Sequence, residues 1–175
     1  MPEPICKYNT DFIFYFFAKK IAKHLNINPN IITYLSFVVT TIIMYTLFQK
    51  KVYLTLFLVF VRSFMDILDG TIARVHNRTS EYGKNLDIVA DNYFNISLAI
   101  IYSYMLFNSS INLLIKIITF IILSYLTIDT VVKELLEVFN YKSIDYNSDI
   151  LYVLMHDNTI IVYQIVFIIF FAIIL

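Results

Sequence analysis

Glycine occurs twice in the 175 residues, proline three times and cysteine once. The lone Cys6 excludes an internal disulfide, and no neighbour stands at metal-ligand spacing, so it reads as an incidental thiol. No Pro/Gly/Ser-rich linker or low-complexity tract divides the chain, and a single domain over residues 1–175 is expected. Only 15% of residues are charged, 13 basic against 13 acidic, for a net charge of zero. That balance argues against a generalised nucleic-acid-binding surface, and no nucleic acid is expected as a partner. The first residues are polar and the first apolar run is short and interrupted, so no cleavable signal peptide is expected.

What fills the space is apolar. Hydrophobic residues make up 59% of the chain, and mean hydropathy is +0.74, far above an ordinary soluble domain. The composition predicts an all-α integral membrane protein that contacts the lipid bilayer directly. Because a span needs about 20 mostly apolar residues, the first falls at 31–48, and the second begins at 52–65 and runs on into an acidic stretch. The third falls at 86–107, the fourth at 111–127 and a last at 160–175. Between the last two lies the polar stretch 133–158 with a short apolar patch at 150–155. A sixth helix is allowed around 131–139 or 150–155, so the transmembrane bundle over 31–175 holds five to six helices. The carboxy-terminal third thus holds one clear span rather than a pair.

Residues 10–25 mix Phe12, Phe14, Phe16 and Phe17 with Lys19, Lys20 and Lys23, the composition of an interfacial amphipathic helix. Asn28-Pro29-Asn30 then breaks the chain before the first span. Lys7, Lys19, Lys20 and Lys23 precede that span, Arg74, Arg78 and Lys84 lie between the second and third, and Lys133 and Lys142 follow the fourth. With these regions cytoplasmic, only Lys50, Lys51 and Lys116 remain near the other side. This satisfies the positive-inside tendency for a multi-pass protein and puts the acidic stretch at the cytoplasmic face. The sequons at Asn77, Asn95 and Asn108 then carry little weight.

Both glycines fall inside that acidic stretch, which reads Asp66-x-x-Asp69-Gly70-x-x-Ala73-Arg74, eight residues, then Gly83-x-x-x-Asp87-x-x-x-Asp91. Charge within a membrane helix is costly and marks function. Asp66 and Asp69 are three apart, Asp87 and Asp91 four apart, so each pair shares a helix face. Consecutive spans joined by a short turn run antiparallel, which lets the two pairs meet at one depth. Clustered carboxylates repel in a low dielectric, and divalent cations remove that cost; oxygen-only ligands suit Mg²⁺, Mn²⁺ or Ca²⁺ better than zinc. Four aspartates suffice to bridge two ions of the kind that clamp attacking and leaving oxygens in phosphoryl chemistry. Gly70 and Gly83 remove side chains beside these acids, so that backbone or substrate can approach. The bland reading is solvated helix-end acids, with Asp66 paired to Arg62 one turn earlier. It leaves Asp69, Asp87, Asp91 and both glycines without a reason.

The pattern D-x2-D-G-x2-A-R-x8-G-x3-D-x3-D resembles, with every fixed position present, the signature of the CDP-alcohol phosphotransferase family of integral membrane enzymes. Upstream, Pro29-Asn30-x-x-Thr33 looks like the element these enzymes carry at the start of their first membrane helix. The resemblance implies a bundle of about six transmembrane helices behind an interfacial helix. It implies transfer of a substituted phosphate from a CDP-linked lipid donor to a small alcohol with release of CMP. Asp66, Asp69, Asp87 and Asp91 would take the family's metal positions, holding two Mg²⁺ or Mn²⁺ ions, and Asp91 would also be the general base. Asn30, Thr33, Gly70, Ala73, Arg74, Ser80 and Gly83 would line the CDP pocket. A planar guanidinium at Arg74 suits phosphate oxygens.

The modest length favours the branch using CDP-diacylglycerol and a small polar alcohol over enzymes that join CDP-choline or CDP-ethanolamine to diacylglycerol. Membrane prenyltransferases also hold Mg²⁺–diphosphate with aspartates, but on two widely separated motifs rather than adjacent helices. An inactive membrane scaffold derived from the family is the non-enzymatic rival. A homodimer is the default assembly. Lys133-Glu134 resembles an Arg-Glu pair of one branch of the family and reads equally as a juxtamembrane pair in water. His24, His76 and His156 lack partners at metal spacing and read as interfacial or loop residues. The Phe and Tyr content reads as lipid-facing surface and bundle packing.

Overall fold

The computed structural model describes residues 11–138, which are helical apart from short turns and include no strand. Five α-helices follow one another: α1 (Asp11–Ala22), α2 (Pro29–Phe48), α3 (Val52–Val75), α4 (Glu81–Phe107) and α5 (Leu113–Val138). Their starts have local causes. Asn28 sits extended before α2, its side-chain oxygen accepts the Asn30 N–H at 3.1 Å, and Pro29 supplies a helical φ at a position that needs no N–H donor. Ser80, also extended, caps α4 by accepting the Gly83 N–H at 3.0 Å. The tight turn between α3 and α4 is reached through Asn77 at φ 52°, a left-handed conformation that asparagine tolerates well. Arg78 then ties that turn to the α1–α2 connection, donating to the Ile27 carbonyl at 3.2 Å and to Asn26 Oδ1 at 2.7 Å. His76 reaches the Ala22 carbonyl at 2.8 Å.

The buried face of α2 mixes small hydroxyl residues with Ile32, Ile43, Met44 and Leu47, while much of its apolar surface faces outward. Its buried stripe includes Thr33, Ser36, Thr40 and Thr46, whereas Ile31, Leu35, Val38 and Ile42 are exposed. A helix in water hides its apolar face. A helix in lipid gains nothing from that and turns small hydroxyl residues inward, where they allow close approach. Ser36 and Thr46 satisfy their hydroxyls within α2, on the carbonyls of Thr33 and Ile43. On α5, Leu113, Leu114, Ile117, Ile118, Ile121 and Ile122 are exposed and Leu123 is buried. Pro29–Phe48 and Leu113–Val132 are long and apolar enough to cross a membrane. The other long helices, α3 and α4, interrupt their apolar runs with Arg62, Asp66, Asp69 and Arg74, and with Glu81, Lys84, Asp87 and Asp91.

Two cores form. Ile43, Met44, Leu47, Val59, Phe94, Leu98, Tyr102, Met105, Leu106 and Leu123 make the larger, from α2, α3, α4 and α5. Ala18, Ala22, Ile32, Leu68 and Ile72 make the smaller, where α1 lies against α3 and α2. Helix α2 packs on both α3 and α4, whereas α3 and α4 do not pack closely on each other.

The expected elements are all helical where the structure describes them, with shifted limits. The segment expected at the interface is α1, with Phe16 and Phe17 outward and Ala18 and Ala22 inward. Helix α4 starts five residues before the expected 86, because the Ser80 cap lies that far upstream. A separate sixth helix around 131–139 is corrected: α5 runs unbroken to Val138, since no glycine or proline interrupts 113–138. The apolar patch at 150–155 and the span at 160–175 lie outside the described residues.

Candidate active site

The α3–α4 pairing can be read from its contacts. Arg62 lies against Asp91 while Asp66 lies near Asp87, so position rises along one helix as it falls along the other, and the helices run antiparallel. The capped turn between them sets this register, and carboxylates from both converge. One oxygen from each of Asp66, Asp87 and Asp91 lies within 4.8 Å of the other two. All three residues are half-buried.

Asp69, one turn further along α3, is less exposed than this trio and is not among the three whose oxygens converge, although the sequence expectation grouped all four. Its Oδ2 accepts a hydrogen bond from the Thr33 hydroxyl at 2.6 Å, which links the acidic face of α3 to the first turns of α2. A hydroxyl–carboxylate bond this short is charge-assisted and orients the carboxylate.

Arg62 closes the cluster from the apolar side. It is 7% exposed, donates to Asp91, and lies 3.7 Å from Asp66 on its own helix. Its guanidinium stacks 4.6 Å from the centre of the Phe94 ring, which belongs to the larger core. The Arg62–Asp66 pair was legible from the i,i+4 spacing. The Arg62–Asp91 pair was not, because it spans two helices.

The residues expected around CDP fall into two groups. Asn30, Ser80 and Gly83 come together where α2 and α4 begin. A Cβ on Gly83 would lie 3.2 Å from both Asn30 Oδ1 and Ser80 Oγ, so the missing side chain is what lets the two helix starts approach. Gly70, Ala73 and Arg74 occupy the last turns of α3. There the Arg74 guanidinium folds back over Gly70, 3.4 Å from where a Cβ would stand, and reaches the Thr71 hydroxyl at 3.5 Å. Thr33 belongs to neither group and lies on Asp69. One contact had no sequence signal beyond aromatic content: the Tyr34 and Tyr82 hydroxyls meet at 2.5 Å across α2 and α4.

The trio fits a divalent cation on two grounds. Its donors are all carboxylate oxygens, the set hard cations prefer. Further, Asp87 Oδ1 is buried with no hydrogen-bond partner among the described residues, an acceptor awaiting a donor or an ion. Three converging carboxylates against one guanidinium also leave the cluster short of positive charge.

Comparison with known proteins agrees with this geometry. Residues 26–175 match the family model described as CDP-alcohol phosphatidyltransferase. An archaetidylinositol phosphate synthase of Pyrococcus horikoshii is 30% identical over 79 residues, 45% of this chain and 42% of that protein. The match therefore spans less than half the length of the curated relative. No solved structure matches.

Proposed function

This chain belongs to the CDP-alcohol phosphatidyltransferase family, and on that premise we propose that it moves a phosphatidyl-type group from a CDP-linked lipid, CDP-diacylglycerol or a close analogue, to a small polar alcohol. The convergence of Asp66, Asp87 and Asp91 from two antiparallel helices carries this reading. Asp66, Asp69, Asp87 and Asp91 would hold two divalent ions. Bound Mg²⁺ or Mn²⁺ supplies positive charge to the diphosphate and to the departing CMP.

The protein's own groups do the rest. Asp91 takes the proton from the acceptor hydroxyl as its oxygen bonds to the lipid-bearing phosphorus. The bond from that phosphorus to the bridging oxygen breaks, and CMP leaves with the electron pair. Arg74 presents its fork to phosphate oxygens. Asn30, Ser80 and Gly83 shape the pocket on one side, and Gly70 and Ala73 on the other, where small side chains leave room for CDP. Thr33 holds Asp69 in register. The acidic end faces the cytoplasm, as the distribution of Lys and Arg favours. A homodimer is the expected assembly.

The test incubates purified protein in detergent with labelled CDP-diacylglycerol, Mn²⁺ or Mg²⁺, and a panel of alcohols that includes inositol phosphate, prompted by the relative's name. CMP release should require the metal, stop on adding EDTA, and be lost in Asp91→Asn while the protein stays folded. Release undiminished by EDTA would overturn the metal assignment, and equal release by the variant would overturn the base.

A further inference from the structure

The fixed positions of the acidic signature say nothing of Arg62, yet no cation is buried closer to its carboxylates among the described residues. It stands one helical turn before Asp66 and is 7% exposed, in a helix stretch where a charge is costly. It donates to Asp91 across the α3–α4 gap, lies 3.7 Å from Asp66, and is backed by the Phe94 ring at 4.6 Å. Its Nε has no hydrogen-bond partner among the described residues. A guanidinium can make five donor contacts, and a purely structural arginine buried this deeply would be expected to use Nε as well. Arg62 instead turns one terminal nitrogen, Nη2, toward both carboxylates it shares with the candidate metal site.

We propose that Arg62 is an internal counter-cation that competes with a divalent ion for Asp66 and Asp91 and thereby sets the affinity of the site. The proposal rests on the metal-binding reading given above. The physical reason is charge in a medium of low dielectric. Without metal, three converging carboxylates repel, and the guanidinium offsets part of that repulsion and holds α3 and α4 in register. A cation on the same carboxylates sits within a few ångströms of a fixed positive group, and the two repel. Filling the site therefore loosens the Arg62–Asp91 pair, and the protein exchanges its own cation for a bound one. Asp91 is thereby freed from the guanidinium when metal and substrate are present, the condition under which it is asked to accept a proton.

The experiment titrates Mn²⁺ alone into the full chain in detergent, reading free Mn²⁺ by electron paramagnetic resonance and melting temperature in parallel. Arg62→Gln removes the charge and keeps a polar side chain; Arg62→Lys keeps the charge and loses the fork. Arg62→Gln should melt lower than wild type in EDTA, yet bind Mn²⁺ about tenfold more tightly or better, because a neighbouring positive charge has gone. Arg62→Lys should bind within about threefold of wild type, since charge rather than shape opposes the ion. A merely structural arginine predicts the opposite sign: its loss disorders the site and weakens Mn²⁺ binding. Equal or weaker binding by Arg62→Gln, or equally tightened binding by Arg62→Lys, overturns the proposal and leaves the metal site standing. Failure of the wild type itself to bind Mn²⁺ overturns the metal-site reading, and this inference with it. Should Arg62→Gln not survive without metal, protein purified in Mn²⁺ and titrated with a competing chelator gives the same affinity ratio.

Discussion

At one end of the bundle Ile43, Leu47, Leu98 and Leu106 meet with no charge among them; at the other, Arg62, Asp66, Asp87 and Asp91 meet between helices of the same group. The apolar end is close-packed, and its side chains contribute by filling space. At the charged end, α3 and α4 stand apart and face each other through carboxylates and a guanidinium. Phe94 is the hinge between the two regimes, one face in the larger core and its ring under Arg62. The difference teaches that this fold does not depend on its acids for cohesion. Cohesion comes from the apolar layer and from α2, which touches both α3 and α4. The acids are held in place by that frame at some cost to it.

Substitutions at the two ends should therefore separate activity from stability. Asp91→Asn should lower CMP release by about a thousandfold, the scale of a lost general base, while melting temperature falls no further than in Arg62→Gln, which breaks the same pair. A larger fall in melting temperature would instead mean that the charged end supports the fold. Leu106→Ala, at a fully buried position of the apolar end, should cost about 2–4 kcal/mol in a denaturation assay, with activity per folded molecule kept within about twofold. Thr33→Val keeps the shape and removes the donor to Asp69. It should cost about 1–2 kcal/mol and lower CMP release several-fold, and Thr33→Ser should restore both.

The two glycines sharpen the contrast within the charged end. A Cβ at position 83 meets two capping atoms at 3.2 Å, whereas one at 70 meets the far end of a flexible arginine at 3.4 Å. Gly83→Ala should thus cost about 1 kcal/mol and displace Asn30 and Ser80, with Gly70→Ala milder in stability, both read by melting temperature. Smallest of all, Ile121→Ala on the outward face of α5 should change stability by less than about 0.5 kcal/mol in detergent. A larger loss there would indicate that α5 packs against something in the assembled protein.

Helix positions were legible because long apolar runs punctuated by Asn28-Pro29 and Ser80 leave the backbone few alternatives. Limits were less so: α5 runs well past the expected 127, because a helix does not stop at the first polar residue. Within the site, spacing alone placed each aspartate pair on one face and each glycine beside an acid. It could not show that Asp69 would turn to Thr33, because that contact joins α2 to α3 across 36 positions. Nor could it show Arg62 reaching Asp91, since the i,i+4 rule names only partners on the same helix.

Composition and spacing by themselves determined a helical chain suited to lipid and a signature of acids and glycines characteristic of one family, because hydropathy and helical periodicity are local properties. Which carboxylates converge, which one a threonine binds, and which arginine answers them were decided only in three dimensions. Those contacts are set by the register of α3 against α4 on the common support of α2, and side-chain charges in a medium of low dielectric act on whatever the packing brings near.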